Sequence, residues 1–289
     1  MLGGETAKSG VDSDEFRLSR RAQIDKDYDN GAAFPDVPEW RQTWLRRSAA
    51  VVIDGTVKLD VPYGAGPRQK LDIFPCADTN APVALFVHGG FWSRNSKETF
   101  RFLAGGIHAA GLHAVFVGHT LAPDVGMDRM VGEIRAATHW MFTHLKDFGF
   151  AQRLLVVLGW SSGAQLAAMT MEATHVAAGM GISGIYDLES IRHGSINDLL
   201  KLDREEARRN SPTFSLPARA GRFDVAYGAR ELPAFCDQSE RFHAAWTAAA
   251  LPGRIMSLPG HHHHSVLDEL NKPDGKLTLA LSGLAADIP

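Results

Sequence analysis

LLVVLGWSSGAQLAAM, residues 154–169, is the stretch whose reading decides the fold. The apolar run Leu154 to Leu158 reads as a strand buried on both faces. Gly159-Trp160-Ser161-Ser162-Gly163 follows at once, and a helical segment is expected over 165–173. A G-x-S-x-G between a strand and a helix is a nucleophile elbow. A serine in so tight a turn tolerates only small close neighbours, hence a glycine on either side. Its side chain then projects from the carboxyl edge of the sheet. The following helix turns free N–H groups toward the reacting centre.

Upstream, 82–87 (PVALFV) is a second buried strand, and His88-Gly89-Gly90-Phe91-Trp92 follows it. A tetrahedral intermediate of acyl transfer carries a negative oxygen that N–H groups must face. Glycines allow that close backbone approach. Gly89 and Gly90 are therefore candidate oxyanion donors, with the Ser162 amide as their partner. His88 is expected to fix the loop by hydrogen bonds.

Further strands are expected over 113–117, 176–182, 224–227 and 254–258, and helices over 100–110, 128–146, 239–250 and 266–285. In 128–146, Met130, Ile134, Ala137, Met141 and Leu145 fall on one stripe. Strand and helix alternate from residue 82 onward, so the fold class is α/β, a mostly parallel sheet with helices on both faces. The runs 57–61 and 69–74 flank a turn at 63–67 and read as an early antiparallel pair. Residues 186–220 are polar, are broken by Pro212 and Pro217, and suit a small insert over the active site.

The division expected is an N-terminal arm, 1–50, and a catalytic domain, 51–289. The first ~12 residues are Gly/Ser/Lys-rich and expected to be mobile. Beyond them the arm carries Phe16, Tyr28, Phe34, Trp40 and Trp44, and Pro35 and Pro38 should split it into two short helical pieces. So many aromatics suit a segment that packs on something, either as a lid or as a homodimer contact.

A serine nucleophile needs a base and an orienting carboxylate, and in this architecture they follow it as acid, then histidine. The histidine should lie after the last strand, where His261, His262, His263 and His264 stand in a row. Spacing alone does not choose among them. The acid should follow the strand at 224–227, where Glu231 is nearer than Asp237, and Asp224 lies within the strand.

The 289 residues are 45% hydrophobic and 22% charged, with a net charge of −3. These are globular values that give no electrostatic reason to expect nucleic acid or an anionic membrane. Cys76 and Cys236 are too few for a disulfide framework or a thiolate metal site. The start lacks a signal-peptide pattern and no apolar run approaches ~18 residues, so a cytoplasmic protein is expected. No metal or other cofactor is expected, since four adjacent histidines cannot all face one ion. The partner expected is a small, aromatic substrate.

These residues resemble the α/β-hydrolase fold and, within it, the arylformamidase (kynurenine formamidase) group and related HGG-type esterases. The similarity runs from about residue 20 to 285. Its segments are VPYGAGPRQKLDIFP (61–75), HGGFW (88–92), LAP (121–123), DRMVGEIRAA (128–137), SSGAQLAAM (161–169), SGIYDLESI (183–191), ELPAFCDQS (231–239) and HHSVLDEL (263–270). The resemblance implies Ser161 as nucleophile, Glu231 as acid where the group usually has Asp, and His263 as base. His264 stands where the group has Phe, and Trp160 where a His is common. It implies a serine hydrolase that acts on an aryl formamide or related arylamide. A carboxylesterase, and a hydrolase fold used only for binding, are the alternatives. Phe91, Trp92, Trp160, Tyr186 and His264 are the expected substrate-binding residues.

Overall fold

The computed structural model describes residues 11–151 and 154–288. Eight strands form one sheet: β1 (Lys58–Pro62), β2 (Lys70–Phe74), β3 (Val83–Val87), β4 (His113–Val117), β5 (Leu155–Trp160), β6 (Val176–Ile182), β7 (Arg222–Gly228) and β8 (Ile255–Leu258). Their order is β1-β2-β4-β3-β5-β6-β7-β8. β1 and β2 pair antiparallel, as do β2 and β4; every other pair is parallel. This is the mostly parallel α/β sheet that the alternating pattern predicts.

The central strands are apolar throughout because both faces are covered. Val83, Leu85 and Val87 of β3 join one core, and Ala84 and Phe86 join the other. β5 divides alike, with Leu155 and Val157 on one side and Val156, Leu158 and Trp160 on the other. The chain leaves β3 toward β4 on one side and returns to β5 on the other. That reversal opens a crevice at the carboxyl ends of β3 and β5.

The helix Met127–His144 buries Met130, Ile134, Ala137 and Met141, the predicted stripe. The segment 100–110 is a 3-10 helix, Lys97–Leu103, followed by the helix Ala104–Ala109. Fully buried Asp72 of β2 ties the first of these down, 2.7 Å from both Lys97 Nζ and Arg101. The single helix expected over 266–285 is instead two, Asp268–Asn271 and Lys276–Ala286. Pro273 between them has no N–H to continue a helix.

The arm also differs from expectation. It is one long helix, Val11–Asp27, a single turn, Asn30–Ala33, and a second helix, Val37–Ala49. The first break precedes Pro35: Asp29 caps the turn by accepting from the Ala32 amide at 3.0 Å. Pro38 lies in the first turn of the second helix, where its missing N–H costs nothing. Most of the start expected to be mobile, residues 1–10, lies outside the described residues.

Trp44 fastens the arm. It is 1% exposed and packs on Phe100, Phe102 and Trp160. One turn on, Ser48 Oγ donates to the Thr99 carbonyl at 2.8 Å and accepts from the Phe102 amide. Earlier in the arm, the Tyr28 hydroxyl meets Ser190 and Gln238, and Asp25 accepts from the Ser195 amide. Among the described residues no helix is long and apolar enough to cross a membrane.

Candidate active site

β5 ends in the elbow. Ser161 has φ 57° and ψ −125°, a strained conformation for a residue with a Cβ. Its amide donates to the Ile182 carbonyl of β6 at 2.8 Å. The glycines of the motif are explained by distance. A Cβ on Gly159 would lie 2.2 Å from the Gly163 carbonyl oxygen, and one on Gly163 would lie 2.2 Å from that of Val87. Backbone crosses backbone here with no room for a methyl group. Gly163→Ala is therefore expected to lower stability by about 2–3 kcal/mol. Gly105→Ala, where nothing lies within 4 Å of the new methyl, should be neutral or stabilising. Urea unfolding of both variants checks this.

The four adjacent histidines have four separate environments. His261 Nε2 lies 3.3 Å from Glu269. His262 Nε2 meets Asp36 of the arm at 3.0 Å, and its ring stacks on Phe34. His264 stacks on Trp44 at 5.4 Å. His263 Nε2 alone lies 3.0 Å from Ser161 Oγ, and its Nδ1 lies 3.0 Å from Glu231 Oε2. The other oxygen of Glu231 accepts from the Gly228 amide at 2.6 Å and from Ser183 Oγ. Asp237 is exposed and pairs with Arg241, while Asp224 is buried against Arg222. Ser161, His263 and Glu231 thus form one hydrogen-bonded line in which each side chain is buried.

The geometry orients that line. With Nδ1 facing a carboxylate, the His263 proton belongs on Nδ1, so Nε2 is free to accept from the serine hydroxyl. Trp160 Nε1 donates to the His263 carbonyl at 2.9 Å, which ties the histidine loop to the elbow. His264 stays neutral beside it: burial, then its neighbours His263 and Arg41, push its pKa down to about 2.

The loop after β3 runs alongside. A Cβ on Gly89 would stand 2.8 Å from Ser161 Cβ, so only glycine allows this approach. Asn95 Nδ2 donates to the Gly89 carbonyl at 3.0 Å. Gly90, at φ +134°, and Phe91 line the open space beside Ser161, whereas Gly89 lies behind them. Among the described residues no acceptor pairs with the Gly90 or Phe91 amide. Ser162 opens the helix Ser162–Ala168, and its hydroxyl accepts from the Trp92 amide at 3.3 Å. His88 Nδ1 lies 3.1 Å from the Gly89 carbonyl. Burial, and then His119 stacked on it, hold its pKa well below the usual imidazole value.

Ser161 opens into a cavity of about 470 Å³. Phe91, Trp160, His263 and His264 form part of its wall. Two of the expected binding residues do not. Trp92 is 1% exposed, and its Nε1 donates to Gln165 Oε1 at 2.8 Å, so it locks the loop to the elbow helix from inside. Tyr186 is fully buried and stacks on Phe242 at 4.2 Å.

The other wall comes from the arm, with Ile24, Tyr28, Val37 and Arg41, and from the segment after β6, with Ile191, Ile196 and Leu199. The sequence points to the arm as a lid or a dimer contact and to 186–220 as an insert over the site, but not to these individual residues as wall, since residues so distant in sequence share no pattern. Ser183 was also missed. Its signal was present, a polar residue just beyond a buried strand at the sheet's carboxyl edge.

A protein-family model, BD-FAE, matches residues 71–194. Kynurenine formamidase of Danio rerio is 30% identical over 241 residues, covering 77% of this chain and 80% of that protein. Kynurenine formamidase of Salmo salar is 31% identical over 242 residues, covering 77% and 80%. A solved structure from Silicibacter sp. TM1040, which carries only a provisional thioesterase designation, superposes with TM-score 0.80 at 25% identity, covering 90% of this chain and 98% of that one.

Proposed function

The chain belongs to the kynurenine formamidase family of α/β-hydrolases, and from that premise we propose a serine hydrolase that cleaves an aryl formamide, or a related arylamide or small ester, through an acyl-serine intermediate. One observation carries this reading: the unbroken line Glu231–His263–Ser161, with its serine end open to the cavity. His263 Nε2 takes the Ser161 proton as Oγ attacks the acyl carbon. The negative oxygen that forms is held by amides of the Gly89–Gly90 loop and of Ser162. The His263 imidazolium, held by Glu231, returns the proton to the leaving nitrogen or oxygen as the bond to carbon breaks. Water, deprotonated by His263, then repeats the sequence on the acyl-serine and releases the acid.

The shape of the site supports this choice of substrate. The Gly89 backbone packs closely against Ser161, and a formyl or another small acyl group makes the least demand for space there. The large space lies on the side lined by Phe91, Trp160 and His264, and its volume matches an aromatic leaving group. An aryl amine is also a better leaving group than an alkyl amine.

The test is parallel turnover of N-formyl-L-kynurenine and p-nitrophenyl acetate. Formamide turnover well above ester turnover is expected. Ester turnover alone would keep the serine mechanism and replace the substrate by a carboxylic ester. Turnover of neither, with no labelling of Ser161 by a fluorophosphonate, would leave a binding protein on a hydrolase fold.

A further inference from the structure

Arg41 and Arg94 line the same cavity as Ser161, His263 and His264. They come from different elements of the chain. Arg41 lies on the arm helix Val37–Ala49, three residues before the buried anchor Trp44. Arg94 lies on the loop after β3, with its guanidinium 5.7 Å from the centre of the Phe91 ring. Among the described residues neither meets a carboxylate within ion-pair distance, whereas Arg21, Arg47, Arg101 and Arg222 each hold an Asp. Two carboxylates also line the cavity, and each is turned to a backbone amide and not to these arginines: Asp25 accepts from the Ser195 amide and Asp29 from the Ala32 amide. Burial, and then the repulsion of Arg94, lower the Arg41 pKa. Both side chains are exposed to solvent at the cavity wall, and two guanidinium groups that repel each other there bind best to a planar anion that can bridge them.

We propose that Arg41 and Arg94 clamp a carboxylate on the molecule that enters the cavity, so that the N-terminal arm supplies a specificity residue to the active site. The clamp rests on the hydrolase reading only in taking this cavity as the substrate's. The scissile bond would sit at Ser161, the ring between Phe91 and Trp160, and the carboxylate at the mouth. An anionic aryl compound is then preferred over its neutral isostere. The tolerance for uncharged esters common in general carboxylesterases would be lost.

Titration calorimetry on the full chain tests this without any turnover. The probes are 4-phenylbutanoate and the matching 4-phenylbutanamide, and the proteins are native, Arg41→Gln, Arg94→Gln and Arg41→Lys. The native protein should bind the carboxylate at least about tenfold more tightly than the amide, and each Gln variant should cut that preference by about tenfold. Arg41→Lys should keep part of it, because charge survives and the fork does not. Equal affinity for the two probes, no binding of the carboxylate, or Gln variants that keep the native ratio with an unchanged circular dichroism spectrum would each overturn the clamp. Carboxylate preference in a protein that hydrolyses nothing would leave the clamp standing and sink the catalytic reading instead.

Discussion

Ser161→Ala is expected to lower kcat by about 10⁵-fold, to the residual rate that binding and oxyanion contacts supply without a nucleophile. Alanine keeps the Cβ and therefore the strained turn at φ 57°. It removes only Oγ, the atom 3.0 Å from His263 Nε2. The thermal midpoint should consequently stay within a few degrees of the native value, so lost turnover reports chemistry and not unfolding. Covalent labelling by a fluorophosphonate should vanish with the hydroxyl. A variant that kept a tenth of the native kcat would sink the acyl-serine mechanism whatever the substrate proves to be.

Glu231→Gln should cost about 10³–10⁴-fold in kcat, by forcing the wrong tautomer on His263. The reason lies in the two partners of Glu231 Oε1. The Gly228 amide and the Ser183 hydroxyl both donate to that oxygen. In the glutamine variant they select the carbonyl oxygen of the new amide and turn its NH₂ toward His263 Nδ1. The imidazole must then accept at Nδ1 and carry its proton on Nε2, where it cannot accept the Ser161 proton. Glu231→Asp keeps the charge but withdraws it by one methylene, and a loss of about 10–100-fold is expected from that misplacement. Asp237→Asn should leave turnover as it is, since Asp237 is exposed and, among the described residues, pairs with Arg241. Steady-state kinetics on the three variants decides the matter. A Glu231→Gln protein as active as the native one would remove Glu231 from the mechanism.

Legibility varied along the chain for physical reasons. β3, β4 and β5 were plain because strands buried on both faces must be apolar without interruption. The helix Met127–His144 was plain because its stripe has the helical period. Ends were less plain. β7 spans Arg222–Gly228 and so exceeds the strand expected over 224–227, because pairing to β6 and β8 extends it past the residues that pattern can read. Phe91 and Trp160 line the cavity, whereas Trp92 and Tyr186, equally expected there, are core. A large ring has the same signature in either place, and only its neighbours distinguish the two.

The sequence by itself determined the sheet class, the elbow at Ser161, the glycine loop before it and the row of histidines after the last strand. Each of these rests on short-range rules: strand patterning, steric room in a tight turn, and chain order. Tertiary structure alone decided which histidine faces the serine. His261 to His264 differ by nothing in composition, yet successive side chains leave a loop in different directions. The fold turns one toward Glu269, one toward Asp36, one toward Ser161 and one onto Trp44. It also decided that the arm lines the cavity, so that Arg41 and Arg94 share its wall. Those two residues lie 53 positions apart in sequence, and no local preference of either one reports the other. Their meeting depends on Trp44 being buried in the core, a long-range packing event that exists only once the whole sheet is formed.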